Sequence, residues 1–293
     1  MLVQNMSFLE SGVDSLKNRI KDKGRDHLYE FGCLAFVGNN SFSPCFEEAF
    51  NCFKESAIEF NNLVSQFNLG LMHKNGLGVK KDEKEAFFWF LKSAENGYEK
   101  AQTVISTYLI EGKYVKQDYI KALHWLRLAM SQGNAEAFYY ASIIYNEGLG
   151  VQANQDQAVE FLKTSANLGF NKAQFELGRH LYRLGPEHPD HVSFLRYLKL
   201  SSSQKNTSAQ LFLADVYLTK ENLAFCPKKG VDLLVGLAKA GNKDALVKLS
   251  EMFDKGSFVE KNQIKAKEFL KKAKSIAMAQ DNFFSKNAEV IVK

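Results

Sequence analysis

The amino-acid sequence predicts an all-α fold of stacked helix pairs, and two observations carry that prediction. Shifting the chain against itself by 36 residues brings Ser65, Ala101, Ala137, Ala173, Ala209 and Ala245 into one column of small residues, and Leu69, Ile105, Ala141, Leu177, Leu213 and Leu249 into a second. Each period also divides into two stretches of helical spacing punctuated by glycine, with Gly97, Gly133, Gly169 and Gly241 in register. A fixed period of this length marks a supersecondary unit that is repeated and stacked. The 293 residues therefore divide into about seven repeats, each contacting mainly its neighbours, rather than into two globules.

The elements follow in order. Residues 1–24 place Leu2, Val3, Met6, Leu9, Val13, Leu16 and Ile20 at helical spacing and read as an N-terminal capping helix. The repeats occupy 25–276, and 277–293 read as a C-terminal capping segment. In repeat two, Ser65, Leu69, Gly70 and His73 lie on one face of a first helix, A, which ends near Asn75-Gly76. A second helix, B, starts at Asp82 and carries Ala86, Trp89, Phe90, Ser93 and Ala94 on one face. The column Asp82, Asp118, Asn154, Asp190, Cys226 and Asn262 offers a short acceptor side chain in five of six repeats, the preference of a helix N-cap. Trp89, Trp125, Phe161, Tyr197, Leu233 and Phe269 are expected to fill the core between layers. Repeat five replaces the Gly-Leu-Gly-Val turn by Leu184-Gly-Pro-Glu-His-Pro-Asp190. Repeat six combines Cys226 at the cap position with Gly230 inside helix B and is expected to be the weakest unit, so that Gly230→Ala should raise the melting temperature unless the glycine allows close helix packing.

Composition excludes several functions. A net charge of +5 from 38 basic and 33 acidic residues is too small and too mixed for a nucleic-acid footprint. No apolar run reaches the length that spans a bilayer, and the first residues lack the pattern of a secretory leader, so a cytoplasmic protein is expected, with export by a specialised secretion system as the alternative. Cys33, Cys45, Cys52 and Cys226 fall in different columns and read as free thiols. The lysine-rich stretch from Lys255 to Lys274 reads as a solvated end.

Catalytic chemistry is sparse. The Gly-Leu-Gly turns follow helices rather than strands and recur with the repeat, so they are helix stops and not phosphate loops. His180, His188, Asp190 and His191 are the one local cluster with metal-ligand chemistry and carry the alternative of a metal-dependent hydrolase. The cap column assigns Asp190 to a helix start, and no metal or other cofactor is expected. His73 shares a column with Leu109, Tyr145, Leu181, Tyr217 and Phe253 and reads as a packed core histidine; His124 should be solvated.

The variable columns point to recognition. Counting from Ser65, column three holds Asn68, Val104, Tyr140, Glu176, Phe212 and Lys248, and column six holds Leu71, Thr107, Ile143, Arg179, Asp215 and Glu251. Both lie on helix A opposite the stripe of small residues and should face a groove, where apolar groups amid polar ones suit a docked peptide or helix.

The run from Ser65 to Gly97, with small residues at fixed places, Leu-Gly, Gly-x-Gly-Val, Asp, Ala, Trp and a closing glycine, resembles the Sel1-like repeat, a cousin of the tetratricopeptide repeat. The resemblance covers roughly 25–275. It implies a right-handed α-solenoid whose A helices line a concave groove, and members that are mostly non-catalytic adaptors in protein complexes. Many members are bacterial and some contribute to host interaction. A monomer that binds a protein or peptide partner is the expectation, with a secreted effector as the alternative.

Overall fold

The structure is a computed structural model that describes residues 27–38, 43–222 and 224–291, with side chains described as far as 278. The expected capping helix over 1–24 lies outside these residues. The described chain is all-α, with fourteen α-helices and one 3-10 turn. In order these are α1 (His27–Val37), α2 (Phe46–Glu59), α3 (Leu63–Asn75), α4 (Glu83–Glu95), α5 (Glu99–Glu111), α6 (Tyr119–Ser131), α7 (Ala135–Glu147), α8 (Gln155–Asn167), α9 (Asn171–Arg183), the 3-10 turn Pro189–Ser193, α10 (Phe194–Ser203), α11 (Thr207–Leu218), α12 (Pro227–Lys239), α13 (Lys243–Lys255) and α14 (Gln263–Ile291). Consecutive helices pair as hairpins, α1–α2, α3–α4 and α5–α6 in the first unit and α9–α10, α11–α12 and α13–α14 in the second, the packing of an α-solenoid. Two compact units, 1–158 and 159–293, divide the chain within α8.

The core is made by one recurrent contact. Column members Leu69, Ile105, Ala141, Leu177, Leu213 and Leu249 are all buried, and so are the small residues that follow them, Gly70, Ser106, Ser142, Gly178, Ala214 and Ser250. A methyl group built on Gly70 would come within 2.6 Å of the Phe90 ring, one on Gly178 within 2.8 Å of Leu198, and one on Gly32 within 2.7 Å of Phe53. Small residues on helix A are thus seats for a large residue of helix B. That large residue stands one position after the column expected from the sequence. Phe90, Leu126, Leu198 and Leu234 are fully buried, whereas of the expected set only Trp89 is buried and Trp125, Phe161, Tyr197, Leu233 and Phe269 are half-buried. Helix B presents its preceding residue obliquely to the layer edge, because successive helical positions lie 100° apart.

Caps set the helix starts. Asp82 accepts from the Lys84 and Glu85 amides, and Asp118, Asn154 and Asn262 cap α6, α8 and α14. These bonds hold the Asp82 carboxyl below its ordinary pKa. Asp190 departs from this expectation: the prolines of the fifth loop wind Pro189–Ser193 into a 3-10 turn, whose first amides include Asp190 N–H donating to His188 Nδ1 at 3.2 Å. Cys226 makes no side-chain cap and is followed by Pro227 at the first turn. A second cap column stands at the starts of four A helices. Asn62, Asn134, Asn206 and Asn242 cap α3, α7, α11 and α13.

A ladder of amides ties successive pairs. Gln66, Gln102 and Gln174 are buried at the start of helix A. They donate to Ala57 O, Ala94 O and Ala166 O of the preceding helix, and accept from Asn96, Gln132 and Gln204 at 2.8, 3.0 and 2.9 Å. Buried amides stay only where each hydrogen-bonding group finds a partner. Where the glutamine is absent the partner is apolar too, Phe138 with Leu168 and Leu246 with Ile276, whereas Gln210, which is only half-buried, donates to Ser202 O and stands opposite Ala240.

The turn from B to A uses a left-handed residue. Gly97, Gly133, Gly169 and Gly241 have φ between 80° and 96°, and Lys205 adopts φ 62° in the same column. At the next position of that column stands Ala277, and α14 runs on unbroken to Ile291.

Gly230 is the case of close helix packing in which the expected stabilisation does not hold. A methyl group there would lie 2.7 Å from Leu218 Cγ and 3.1 Å from Ala214 O, so this glycine permits close approach of α11 and α12. Gly236, exposed and with nothing within 4 Å of the added atom, is the substitutable position. Gly236→Ala is expected to stabilise by about 0.5–1 kcal/mol in chemical denaturation, and Gly230→Ala to destabilise. In the ladder, Gln102→Leu is expected to destabilise by about 1–3 kcal/mol, and the pair Gln102→Phe with Gln132→Leu by less than the sum of its single changes, as measured in a double-mutant cycle.

Candidate partner-binding faces

The twelve predicted recognition residues all reach solvent. Asn68, Leu71, Val104, Thr107, Tyr140, Ile143, Glu176, Arg179, Phe212 and Lys248 are half-buried, and Asp215 and Glu251 are exposed. Their placement follows from helix periodicity: with columns zero, four and five buried against helix B, columns three and six fall on the flank that helix B leaves uncovered.

In the first unit these columns are uncharged. α3 contributes Asn68 and Leu71, α5 Val104 and Thr107, and α7 Tyr140 and Ile143. The Thr107 hydroxyl donates to Val104 O at 2.7 Å, which lowers its demand for water. Burial pushes the Tyr140 hydroxyl up to about 12, with Glu136 adding to the shift, so the group stays a neutral hydrogen-bonding tip on an apolar ring.

In the second unit five of the six residues in these columns are charged, and four of those form ion pairs. Glu176 and Arg179 of α9 form an ion pair at 3.1 Å, with the guanidinium lying 5.4 Å over the Phe175 ring. Lys248 of α13 reaches Asp215 of α11, joining the A helices of neighbouring repeats. Asp215, Lys248 and Glu251 line one cavity of about 250 Å³ together with Met252, Lys255 and Phe258. Phe212 is tied into packing, edge-on to Tyr182 at 5.4 Å and to Phe175 at 6.2 Å, so it belongs in part to the contact between A helices. Phe258, which sequence reasoning missed, stands at the repeat position of Gly78 and Gly150 and holds φ 62°; an aromatic residue in a glycine column was its signal.

The histidine cluster is dispersed into local bonding. His188 caps the 3-10 turn, and His191 Nδ1 donates to Leu181 O at 3.2 Å while stacking 5.9 Å from Tyr182. Among the described residues no group of three histidines, cysteines or carboxylates has the arrangement to hold a metal ion. No disulfide links the four cysteines, and His124 is exposed as expected. No helix of the described residues is long and apolar enough to cross a membrane.

His73 is buried in the first unit, edge-on to Phe50 at 5.3 Å, and its Nδ1 has no hydrogen-bond partner. Desolvation lowers its pKa, against the weaker opposite pull of Glu85 and Asp82. Folding therefore favours the neutral ring. The associated stability is complete above the ordinary histidine value of about 6.5 and is lost as pH falls below it. Denaturation across pH 7.5 to 5 (a range set by that value) is expected to show such a loss, reduced in His73→Phe, which carries the aromatic of its column mate Phe253.

Comparison with known proteins places this architecture. The Sel1 repeat matches residues 63–98, 100–134, 135–170 and 243–275, in each of which a left-handed glycine ends helix A. Chitin synthase regulatory factor 3 of Schizosaccharomyces pombe is 27% identical over 173 residues, which are 57% of this chain and 18% of that protein. DAP3-binding cell death enhancer 1 of Rattus norvegicus is 31% identical over 123 residues, 42% of this chain and 23% of that protein. The chain thus spans about a fifth of the length of these curated relatives. A solved structure, a protective antigen of uropathogenic Escherichia coli displaying an SLR fold, superposes with a TM-score of 0.75 at 25% identity, covering 87% of this chain and 55% of that one. The four matched stretches, the solenoid packing of the helix hairpins and this structural likeness show that the chain carries Sel1 repeats and shares the fold of Sel1-repeat proteins.

Proposed function

We propose that this chain is a non-catalytic adaptor that binds a protein segment through columns three and six of its A helices. Sel1-repeat proteins generally mediate protein–protein interactions, which supports the class of function. The observation that carries the specific reading is the state of the twelve residues: every one reaches solvent while the stripe beside them is buried without exception. Stacking constrains the stripe, and recognition uses the side chains it leaves free. The two units offer different chemistry. The first presents Leu71, Val104, Tyr140 and Ile143, suited to apolar side chains of a partner. The second presents Arg179, Asp215, Lys248 and Glu251, suited to a segment of mixed charge that exchanges its own ion pairs for those of the chain.

The triple substitution Tyr140→Ala, Ile143→Ala and Arg179→Glu is expected to abolish co-purification of the partner while leaving the helical circular dichroism unchanged. Recovery of the same partner at the same yield would remove the assignment. Affinity purification with mass spectrometry, wild type against this variant, identifies which partner depends on these columns.

A further inference from the structure

The last described hairpin presents a helix face that the other hairpins cover. In α4, α6, α10 and α12 the B helix packs against the A helix of its own repeat and against the A helix of the next. α14 packs on α13, and it continues as one helix to Ile291, so no A helix follows it among the described residues. The effect shows at the seat column. Phe90, Leu126, Leu198 and Leu234 are fully buried there, whereas Leu270 is 39% exposed.

Contacts in the earlier repeats locate the residues on which a following helix rests. Gln102 of α5 donates to Ala94 O of α4 at 3.3 Å, Gln174 of α9 to Ala166 O of α8 at 3.1 Å, and Gln210 of α11 to Ser202 O of α10 at 3.3 Å. Ala94, Ala166 and Ser202 stand in the column of Lys274. Earlier on the same B helix, Phe87 meets Tyr108 of α5 with ring centres 5.5 Å apart. The column of Phe87 continues as Leu123, Val159, Leu195 and Val231 and then becomes Lys267. Columns that stack on the next repeat are therefore small or apolar along the chain and basic in α14. Because Gln102 lies opposite Ala94 and Tyr108 opposite Phe87, the two helices run antiparallel.

Lys267, Lys271 and Lys274 follow helical spacing and form one stripe, and all three are exposed. None of them enters an ion pair among the described residues. Residues 263–278 hold five lysines and one acid, Glu268, which lies a helical step to the side of the stripe. Ile264, Leu270 and Met278 border the stripe and are exposed as well. Charge alone describes the polar outer face of a terminal repeat. Exposed apolar side chains interleaved with that charge, at columns that elsewhere hold a helix, describe a seat.

We propose that this face of α14 receives an acidic amphipathic helix of a partner protein, docked antiparallel in the place that an A helix takes in the earlier repeats. Carboxylates at i, i+3 and i+7 match the three lysines, which span about 10 Å along α14. Apolar side chains beside the carboxylates cover Ile264, Leu270 and Met278. The same columns hold a helix in four other hairpins of the chain, which favours a helix over a bilayer as the occupant. The proposal goes beyond the adaptor reading, whose residues lie on the A helices.

The test uses the full chain with labelled methyl groups and the peptide acetyl-Ala-Leu-Glu-Ala-Gln-Glu-Ala-Gln-Leu-Glu-Ala-Gln-Leu-Ala-amide, followed by methyl NMR at Ile264, Leu270 and Met278. Saturable shifts are expected at these methyls. Replacing the three peptide glutamates by glutamine should lower affinity about tenfold, since exposed ion pairs are individually weak and three together amount to roughly one decade. The chain variant Lys267→Glu, Lys271→Glu and Lys274→Glu should lose this peptide and bind instead a counterpart with lysine at the three glutamate positions. Such an exchange of ligands cannot come from a folding defect, and circular dichroism should stay unchanged because all three lysines are exposed. Absence of saturable shifts in the wild type, equal binding of the glutamine peptide, or failure of the charge-exchanged pair to bind would overturn the proposal. Shifts caused by phosphatidylserine vesicles and not by the peptide would overturn it in favour of a membrane surface. Self-association in sedimentation that the lysine variant abolishes would overturn it in favour of a second copy of the chain.

Discussion

The fold depends on a single kind of contact, a large side chain of helix B seated on a residue of helix A that has little or no side chain. Phe90 over Gly70 and Leu198 over Gly178 are its clearest cases, since one added carbon would collide with the ring or the isobutyl group. Interiors pack at crystal-like density, so such a seat tolerates neither a larger residue below nor a smaller one above. The contact fixes the separation of the two helices in each hairpin and thereby which flank of helix A remains uncovered. Function and stability are partitioned by this geometry: columns zero, four and five are committed to the seat, and columns three and six are released from it.

Around the seat, polar groups do the aligning. The buried glutamines of the ladder each satisfy a carbonyl of the preceding helix and an amide or carbonyl partner of their own hairpin. A hydrophobic contact is tolerant of small slips, whereas an amide pair with defined donors and acceptors is not. The replacement of both members by apolar residues at Phe138 and Leu168 shows the same rule from the other side, because a lone buried amide would cost more than none.

Much of this was legible in the sequence. The 36-residue columns disclosed the hairpins, the buried stripe, the N-caps of α4, α6, α8 and α14 and the turn glycines, because period and glycine placement are local consequences of backbone geometry. Three features were not. The knob position lies at Phe90 rather than Trp89, a difference of one helical step that depends on how the layers approach. Asp190 lost its capping role to His188 because two prolines rewound the preceding loop. Gly230 looked like a weak point and is instead a close approach of two helices, which no pattern within one segment can reveal. The recognition columns were readable as variable positions, but whether they paired with one another was not. The Lys248 to Asp215 ion pair joins residues 33 apart and exists only because two A helices lie side by side.

Ala277 stands where earlier repeats have glycine, or Asn61 and Lys205, in the left-handed conformation, and the helix passes straight through it. Hairpin formation in this chain is thus governed at one column by a backbone preference and not by any special terminal structure. For a gene that grows by duplication of whole repeats, this makes the turn residue the unit of inheritance that matters. A copied segment whose residue at this column takes the left-handed conformation, as the glycines, Asn61 and Lys205 do, can fold back and find a seat, while one that carries alanine there, as at Ala277, lengthens the preceding helix.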